Sequence, residues 1–270
     1  MTFDYASQTV LLTGASSGIG RAFATVLAAR GSDLVLVARR ADRLESLAAE
    51  LRGRHGVRVT TIPCDLIEAD AGTRLRDAVA EQGIPVTSLI NNAGFGTFGP
   101  FRDEDSTRLA QEIAVDVSAP VQLSHAFLPQ LLAAGDGFLI NVASMAAYTP
   151  TPRMAVYGAA KAFVLSFSES LWAELRGTGV TVFALSPGAT STEFNAVVGT
   201  EDATAGARMR TPEDVVATAL AHLERRDPGP SVVDGRSNRI GAFLTRIPSR
   251  RASVTMTERL TDPARRNRES

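Results

Sequence analysis

The sequence predicts an α/β fold built on a parallel sheet, and three observations support that class. Short aliphatic and β-branched runs alternate with longer segments of helical apolar spacing, as in successive βαβ units. The chain has 270 residues, 44% of them apolar, which is enough for one large core. No repeat or low-complexity linker occurs before about residue 240. We therefore expect one domain over residues 1–240 and an arginine-rich C-terminal tail over 241–270.

Seven runs have the length and composition of buried strands, and helical spacing follows six of them. The predicted strands are Thr9–Leu12, Asp33–Ala38, Arg58–Pro63, one that begins at Ser88–Ile90, Gly137–Val142, Val180–Leu185 and a last one near Ser231–Val233. Residues 107–132 are expected to form one or two helices, and residues 190–210, small and polar, a mobile flap over a site. The tail is expected to be disordered or draped over the surface, with a membrane-surface or partner-binding arm as the alternative.

The composition argues against several classes of protein. The net charge of −1 gives no whole-chain reason to expect a nucleic-acid or anionic-membrane partner. A single cysteine allows no internal disulfide and suits a reducing compartment. The start of the chain lacks the features of a secretion signal, and no apolar run approaches the ~20 residues that cross a bilayer. On these grounds we expect a cytoplasmic protein. The three histidines are isolated, so we expect no metal site.

A glycine-rich turn, TGASSGIG, joins the first strand to the first helix. Its glycines, Gly14, Gly18 and Gly20, would let the backbone close tightly and approach a pyrophosphate. The amides and the positive dipole end of the following helix would attract the phosphates. The spacing is not the usual GxGxxG, so a plain tight turn is the alternative.

Two arginines follow the second strand, at the position that decides the choice of dinucleotide. An acid there would bond the ribose 2′-hydroxyl, but Ala38 occupies that position, and Arg39 and Arg40 come directly after it. Arginine binds a 2′-phosphate strongly and a carboxylate would repel it, so the sequence favours NADP(H). We expect Arg39 to make this contact before Arg40. The alternative is two solvated arginines at the start of a helix.

The residues that best indicate catalysis follow the fifth strand. Tyr157 stands thirteen residues after Ser144, and Lys161 stands four residues after Tyr157. Positions i and i+4 of a helix share a face, so the phenol and the ammonium point into the same space. Lys161 is the only lysine among 28 basic residues. A nearby cation lowers a phenol pKa from about 10 toward the range of general acid–base catalysis. An ordinary amphipathic helix is the alternative.

Other strand ends carry small and polar residues, and ligands of open parallel sheets bind beyond such ends. Asp65 and Leu66 follow the third strand, and NNAG, from Asn91 to Gly94, follows the fourth. Gly94 permits close approach of a ligand, and the paired asparagine amides can tie neighbouring loops together. After the sixth strand comes PGATST, in which we expect the Thr192 hydroxyl to reach a bound cofactor amide.

Six motifs stand in order over about residues 8–235, namely TGASSGIG, Asp65, NNAG, Ser144, YGAAK and PGATST. In these motifs the sequence resembles the short-chain dehydrogenase/reductase family, of the short single-domain type. The resemblance implies a doubly wound Rossmann fold with a seven-stranded parallel sheet and helices on both faces. It also implies a homodimer or homotetramer formed through long helices on one side of the sheet. The implied cofactor-binding residues are Gly14, Ser16, Ser17, Gly18, Ile19, Gly20, Arg39, Arg40, Asp65, Leu66, Asn91, Ala93, Gly94, Tyr157, Lys161, Pro187, Gly188 and Thr192.

In the family's pattern, Ser144 would orient the substrate oxygen, Tyr157 would exchange the proton, and Lys161 would hold the nicotinamide ribose and lower the phenol pKa. One position departs from that pattern, because Asp116 stands where the family usually has an asparagine that holds a relay water. An ionised Asp116 near Lys161 would offset part of the cation's effect and raise the phenol pKa. A carboxylate oxygen could still hold the water, so we expect activity with a shifted pH optimum.

These expectations combine into an NADP(H)-dependent oxidoreductase that moves hydride between the nicotinamide and a carbonyl or secondary alcohol. Ketone or aldehyde reduction is the favoured direction. The alternative is an NADPH-binding sensor or scaffold without turnover, for which Asp116 is the only support in the sequence. The substrate stays open: six apolar side chains could form a lipophilic pocket or belong to the core, namely Phe95, Phe98, Met145, Tyr148, Met154 and Phe194.

Overall fold

The protein is described by a computed structural model over residues 3–194, 209–245 and 247–261. One parallel sheet forms its centre, with the strand order β3-β2-β1-β4-β5-β6-β7. The strands are β1 Thr9–Thr13, β2 Asp33–Ala38, β3 Val59–Pro63, β4 Ser88–Asn91, β5 Phe138–Val142, β6 Thr181–Ser186 and β7 Ser231–Val233. All seven predicted strands are therefore present, and most bounds agree within one residue.

Within the described ranges, nine α-helices flank the sheet. They are α1 Gly18–Ala29, α2 Ala41–His55, α3 Ala71–Glu81, α4 Ser106–Ile113, α5 Ala119–Ala134, α6 Ala155–Glu174, α7 Pro212–Leu223, α8 Arg236–Leu244 and α9 Arg250–Thr261. Buried residues of α1, α2 and α7 form one core on the first face of the sheet, and those of α3 and α5 form a second core on the other. The predicted doubly wound Rossmann architecture is confirmed.

The helix boundaries follow local signals in the sequence. The α2 helix buries Leu44, Leu47 and Leu51 along one stripe, and it ends where Gly56 adopts a left-handed conformation, with φ of 69°. The α7 helix begins with a capping box in which the Thr211 hydroxyl accepts from the Asp214 amide, and the Asp214 carboxylate accepts from the Thr211 amide.

The region predicted as one or two helices is two, joined without a loop. A π-helical segment, Ala114–Ser118, connects α4 to α5 and carries Asp116. The wider turn of a π-helix rotates the following side chains relative to an α-helix, and such segments are frequent at functional sites. The same segment contains Asp116, the position at which the sequence departs from the pattern of the family that it resembles.

The end of the chain is more ordered than predicted. The boundary expected at residue 240 lies inside α8, and α9 continues to Thr261, so the described part of the predicted disordered or surface-draped tail is helical. Asn238 of α8 packs against Gly188. In α9, the Thr257 hydroxyl lies 3.4 Å from the hydroxyl of Thr149. Residues 195–208, most of the predicted flap, lie outside the described residues.

Two kinds of feature are absent from the described residues. No helix in these ranges is long and apolar enough to cross a membrane. No group of three or more histidine, cysteine or acidic side chains in the same ranges is arranged to hold a metal ion. The strand order does indicate where a ligand would bind. It reverses between β1 and β4, and open parallel sheets bind ligands beyond the carboxyl ends of the strands at such a switch point.

Candidate active site

The glycine-rich turn lies at this switch point and requires its glycines. Gly14 has φ of 66° and Gly18 has φ of 52°, a conformation that other residues rarely adopt. A Cβ on Gly20 would lie 2.2 Å from the carbonyl oxygen of Gly14. The Asn92 amide donates to the carbonyl oxygens of Thr13, at 2.9 Å, and Gly14, at 3.4 Å. The predicted tie between loops is thus made by Asn92, which was not among the predicted cofactor-binding residues.

The first turn of α1 is suited to phosphate groups. Ser17 is its N-cap residue, and its side chain does not cap the helix, so no side chain competes at that position for the free amides. Ile19 and Gly20 belong to the same turn, and Thr192 packs against Gly18, with a distance of 3.0 Å between its Cγ2 and a Cβ placed on the glycine. The turn and the helix N-terminus therefore have the form of a phosphate site, and Thr192, predicted to reach a cofactor amide, lies beside them.

The two arginines after β2 differ in position. The Arg40 guanidinium donates to the Ser16 hydroxyl at 3.1 Å and to the Ser17 hydroxyl at 3.3 Å. Arg39 is exposed and makes no hydrogen bond or ion pair with the described part of the chain. The geometry therefore favours Arg40 over Arg39 as the residue beside the turn, the reverse of the predicted order.

Arg43, in the first turn of α2, lies near Arg40 beside the glycine-rich turn. Its guanidinium donates to the carboxylate of Glu193 at 2.7 Å, and Arg40 donates to the same carboxylate at 3.1 Å. Neither Arg43 nor Glu193 was predicted as a site residue. The two lie 150 residues apart in sequence, and no local pattern connects them.

On the other side of the switch point, α6 presents the predicted catalytic residues. The Lys161 amine lies 5.7 Å from the centre of the Tyr157 ring, and Tyr157 and Ser144 are close enough for the Ser144 hydroxyl to lower the phenol pKa. Ser144 caps a short 3₁₀ turn, Met145–Ala147, where its hydroxyl accepts from the Ala146 amide at 3.1 Å. A Cβ on Gly96 would lie 3.0 Å from the phenol ring. The fold brings all three predicted side chains together.

Asp116 forms a direct ion pair with the lysine. Its Oδ1 accepts from the Lys161 amine at 2.8 Å, and its Oδ2 accepts from the Phe95 amide at 3.4 Å. The amine also donates to the Val142 carbonyl oxygen at 3.2 Å. Both side chains are buried, with exposures of 6% for Lys161 and 0% for Asp116. The amine and the carboxylate are therefore in direct contact, without a water between Nζ and Oδ1.

Lys161 acts on the phenol pKa in the predicted direction, downward, but it does not decide the net direction. Burial raises the pKa of Tyr157, and this effect outweighs the lowering by Lys161 and by Ser144. The charge of Asp116 raises the phenol pKa further, in the direction predicted. Burial alone would lower the pKa of Lys161, but the carboxylate of Asp116 raises it, so the amine stays protonated.

A second carboxyl group, Glu112, lies behind this pair and was missed. It precedes Asp116 by four residues, and it is fully buried. Neither of its oxygens has a hydrogen-bond partner of normal geometry among the described residues. Burial, followed by the charge of Asp116, raises the pKa of Glu112 to about 7, against the lowering by the hydroxyl and amide of Thr97. Only the folded packing could have revealed this group.

The remaining predicted residues divide between the crevice and the framework. Asn91 is buried, and its amide donates to Asn141 at 2.8 Å and to Ser124 at 3.2 Å, which stiffens the sheet. Asp65 accepts from the Ile67 amide at 3.2 Å in the turn after β3, and Leu66 is buried there. Ala93 donates its amide to Thr13, and Gly94 faces the buried pair, as a Cβ there would lie 2.3 Å from Asp116. The Pro187 carbonyl oxygen accepts from the Met145 amide, and Gly188 packs against Asn238.

The apolar residues proposed for a pocket surround the phenol only in part. The rings of Tyr157 and Phe194 are 5.3 Å apart, and Met154 lies beside Gly96. Phe95 and Phe98 instead lie beneath the guanidinium groups of two arginines, at 3.9 Å and 5.1 Å. The Tyr148 hydroxyl lies 3.4 Å from the Ser186 hydroxyl.

A Rossmann sheet with a phosphate-type turn on one side of its switch point, and a tyrosine–lysine helix on the other, defines an oxidoreductase that works with a nicotinamide dinucleotide. Residues 8–203 match the family model described as short chain dehydrogenase, and the chain belongs to this family.

Known proteins of the family resemble the chain over most of its length. It is 41% identical to a sulfoacetaldehyde reductase of Chromohalobacter salexigens over 216 residues, which cover 78% of this chain and 84% of that one. It is 36% identical to the short chain dehydrogenase MYCFIDRAFT_6125 of Pseudocercospora fijiensis over 217 residues, 80% of this chain but only 65% of that one. A solved short-chain dehydrogenase from Sphingobium yanoikuyae, in complex with NADPH, superposes with a TM-score of 0.79 at 34% identity, over 88% of this chain and 92% of that one.

Proposed function

We propose that the protein is an NADP(H)-dependent reductase of ketones or aldehydes, with Tyr157 as the general acid. The observation that carries this proposal is the convergence of Ser144, Tyr157 and Lys161 at the carboxyl edge of the sheet, beside the glycine-rich turn. A protein that only bound the cofactor would need the turn but not these three groups in this arrangement.

The residues divide the work of carbonyl reduction between them. Bound NADPH would supply hydride from C4 of its nicotinamide to the carbonyl carbon. The Ser144 hydroxyl donates a hydrogen bond to the carbonyl oxygen and holds it beside the phenol. The Tyr157 hydroxyl gives its proton to that oxygen as negative charge develops there. Lys161 stabilises the phenolate that remains, because its ammonium stays charged in the buried site.

The direction of the phenol pKa is compatible with this role. A general acid must be protonated before the step, and a raised pKa keeps Tyr157 protonated at neutral pH. The phenol is therefore in the state from which it can donate a proton. A phenol with an unshifted pKa of about 10 would also be protonated at neutral pH, so the proposed direction, reduction rather than alcohol oxidation, rests on NADPH as the hydride donor.

We infer that Asp116 acts as a positioning residue for Lys161. Its carboxylate holds the amine at 2.8 Å, and the Val142 carbonyl oxygen holds it from a second direction at 3.2 Å. These contacts fix the ammonium on the same side of α6 as the phenol. The negative charge of Asp116 also offsets part of the lowering of the Tyr157 pKa by Lys161.

The preference for NADP(H) rests on positive charge at the end of β2. Arg40 and Arg43 direct their guanidinium groups to one point beside Ser16 and Ser17, where a carboxylate is already bound. A 2′-phosphate would find the same donors. The Sphingobium relative, solved with NADPH, supports the same cofactor.

The chain's own residues indicate a substrate with an apolar part. The phenol is flanked by Phe194 and Met154, side chains that would bind hydrocarbon rather than charge.

We also propose a cytoplasmic homo-oligomer formed through the α5 and α6 side. Leu132 and Phe163 are 39% and 42% exposed on these helices, and burying them would stabilise an interface.

A carbonyl panel with a matched variant tests the proposed reaction. We expect NADPH oxidation by the wild-type protein with at least one ketone or aldehyde, and a loss of about 10²–10⁴-fold in kcat/KM for Tyr157→Phe. The variant should still bind NADPH, because the glycine-rich turn and the arginines proposed to hold the phosphates are unchanged. Tight NADPH binding without turnover on a broad panel would instead favour a sensor or scaffold protein.

A further inference from the structure

The carboxylate of Glu193 lies at the point where the two arginines after β2 converge. Its Oε2 accepts from Nη1 and Nη2 of Arg40, each at 3.1 Å, and its Oε1 accepts from Nη1 of Arg43 at 2.7 Å. Hydrogen bonds with charge on both partners are the strong ones. Glu193 comes from the segment after β6, 150 residues after Arg43 in sequence.

The same arginine also faces the turn that would hold the cofactor phosphates. Arg40 donates to the hydroxyls of Ser16 and Ser17, so Glu193 and these serines share one guanidinium group. Ser16, Ser17, Arg43 and Glu193 line one open cavity. Two guanidinium groups and two hydroxyls thus make an anion site, and this chain's own carboxylate fills it.

A carboxylate and a phosphate monoester need the same donors. Both present oxygen pairs that accept parallel N–H bonds from arginine. We propose that Glu193 is an internal competitor for the 2′-phosphate of NADP(H): it holds the anion site of Arg40 and Arg43 until the phosphate displaces it, and it lowers the affinity for NADP(H) but not for NAD(H). This inference rests on the proposed use of NADP(H).

The contacts of Glu193 with the two arginines are exposed enough for an incoming anion to replace them. The side chains of Arg40, Arg43 and Glu193 are 41%, 46% and 48% exposed, and ion pairs this exposed are weak individually. The hydrogen bonds from Arg43 and then from Arg40 lower the pKa of Glu193, so its carboxylate is ionised at neutral pH. An apparent dissociation constant rises by the inverse of the fraction of molecules in which the site is free.

Cofactor binding measured by titration calorimetry tests the competition without any substrate. We expect Glu193→Ala to tighten NADPH binding by about three- to tenfold, which matches the loss of one or two exposed ion pairs. NADH binding should change by less than about twofold, because NADH has no group for the site. The fragments 2′,5′-ADP and 5′-AMP should repeat this contrast, with a gain only for the first.

Glu45→Gln is the matched control. Glu45 accepts from Arg52 at 2.7 Å on α2, so the variant removes the same charge and a similar ion pair but leaves the anion site intact. It should leave NADPH binding unchanged. An unchanged or weakened NADPH affinity in Glu193→Ala, or an equal gain for NADH, would overturn the competition. Failure of the wild-type protein to bind NADPH at all would overturn the proposed function, and this inference with it.

Discussion

Two charged clusters border the cofactor crevice, and they differ in their access to water. The inner cluster contains Lys161, Asp116 and Glu112, and the side chains of its ion pair are 6% and 0% exposed. The outer cluster contains Arg40, Arg43 and Glu193, with side chains 41–48% exposed. Both use short contacts between a base and a carboxylate, so the contacts alone do not distinguish them.

The difference in burial decides what each cluster can do. In the inner cluster, charges removed from water depend on each other, and removing one partner leaves the other without compensation. In the outer cluster, solvent replaces a lost partner at little cost, so one anion can replace another. A permanent arrangement suits the proton-transferring side of the crevice, and an exchangeable one suits the side where a cofactor enters and leaves.

The largest expected effect follows from removing the inner cation. Lys161→Met should lower kcat/KM by about 10²–10⁴-fold, because the phenolate of Tyr157 loses its stabilising charge and Asp116 is left buried without a partner. Steady-state kinetics with the best carbonyl of the panel measures the loss. Lys161→Arg, which keeps the charge but not its compact shape, should retain more activity. Activity within tenfold of wild type in Lys161→Met would contradict the assignment.

Removing the inner anion should mainly affect stability. Asp116→Ala leaves the lysine buried without its carboxylate and should reduce the free energy of unfolding by about 3–5 kcal/mol, measured by urea denaturation. Asp116→Asn should cost less, since its amide oxygen can still accept from Lys161. In that variant the phenol pKa should fall, so the loss of reductase activity at high pH should begin at a lower pH than in wild type. Identical pH profiles would rule out the electrostatic link.

In the outer cluster, the expected effect is one on affinity and not on stability. Arg40→Ala should weaken NADPH binding by about 10- to 100-fold, the range for losing charge-assisted hydrogen bonds to a phosphate, and NADH binding by much less. Arg39→Ala is the comparison, because Arg39 is exposed beside it and contacts no anion in the described structure. The sequence alone predicts the opposite order of these two variants. A larger loss for Arg39→Ala would restore that order.

The sequence predicted the parts of the molecule that depend on local pattern. Strands and helices followed from apolar spacing, and Tyr157 and Lys161 were brought together by their separation of four residues on one helix. Asp116 was recognised because it departs from a family's pattern, and its closeness to Lys161 was correctly expected. These inferences need only a few consecutive residues or a known motif.

What the sequence could not predict depends on contacts between distant segments. Arg43 and Glu193 meet across 150 residues, and the sequence does not show how far folding removes Tyr157 from water. The order in α8 and α9 was missed because their composition resembles a solvated tail, whereas the contact of Asn238 with Gly188 gives α8 a fixed place. Charge patterns identify which groups exist, but the fold decides which of them water can reach.

Glu112 provides the smallest and most selective test of the inner cluster. Its pKa is raised from 4.5 to about 7 in the folded protein, so the folded state binds more protons than the unfolded state between these two pH values. Stability should therefore fall as pH rises through this window, by at most about 1.4 kcal/mol per pH unit from this group. Glu112→Gln cannot ionise and should lose that part of the pH dependence, so its unfolding free energy relative to wild type should increase from pH 5 to pH 8. Glu81→Gln, at an exposed position, should follow the wild-type curve, and parallel curves for Glu112→Gln and wild type would show that the buried carboxyl does not titrate in this range.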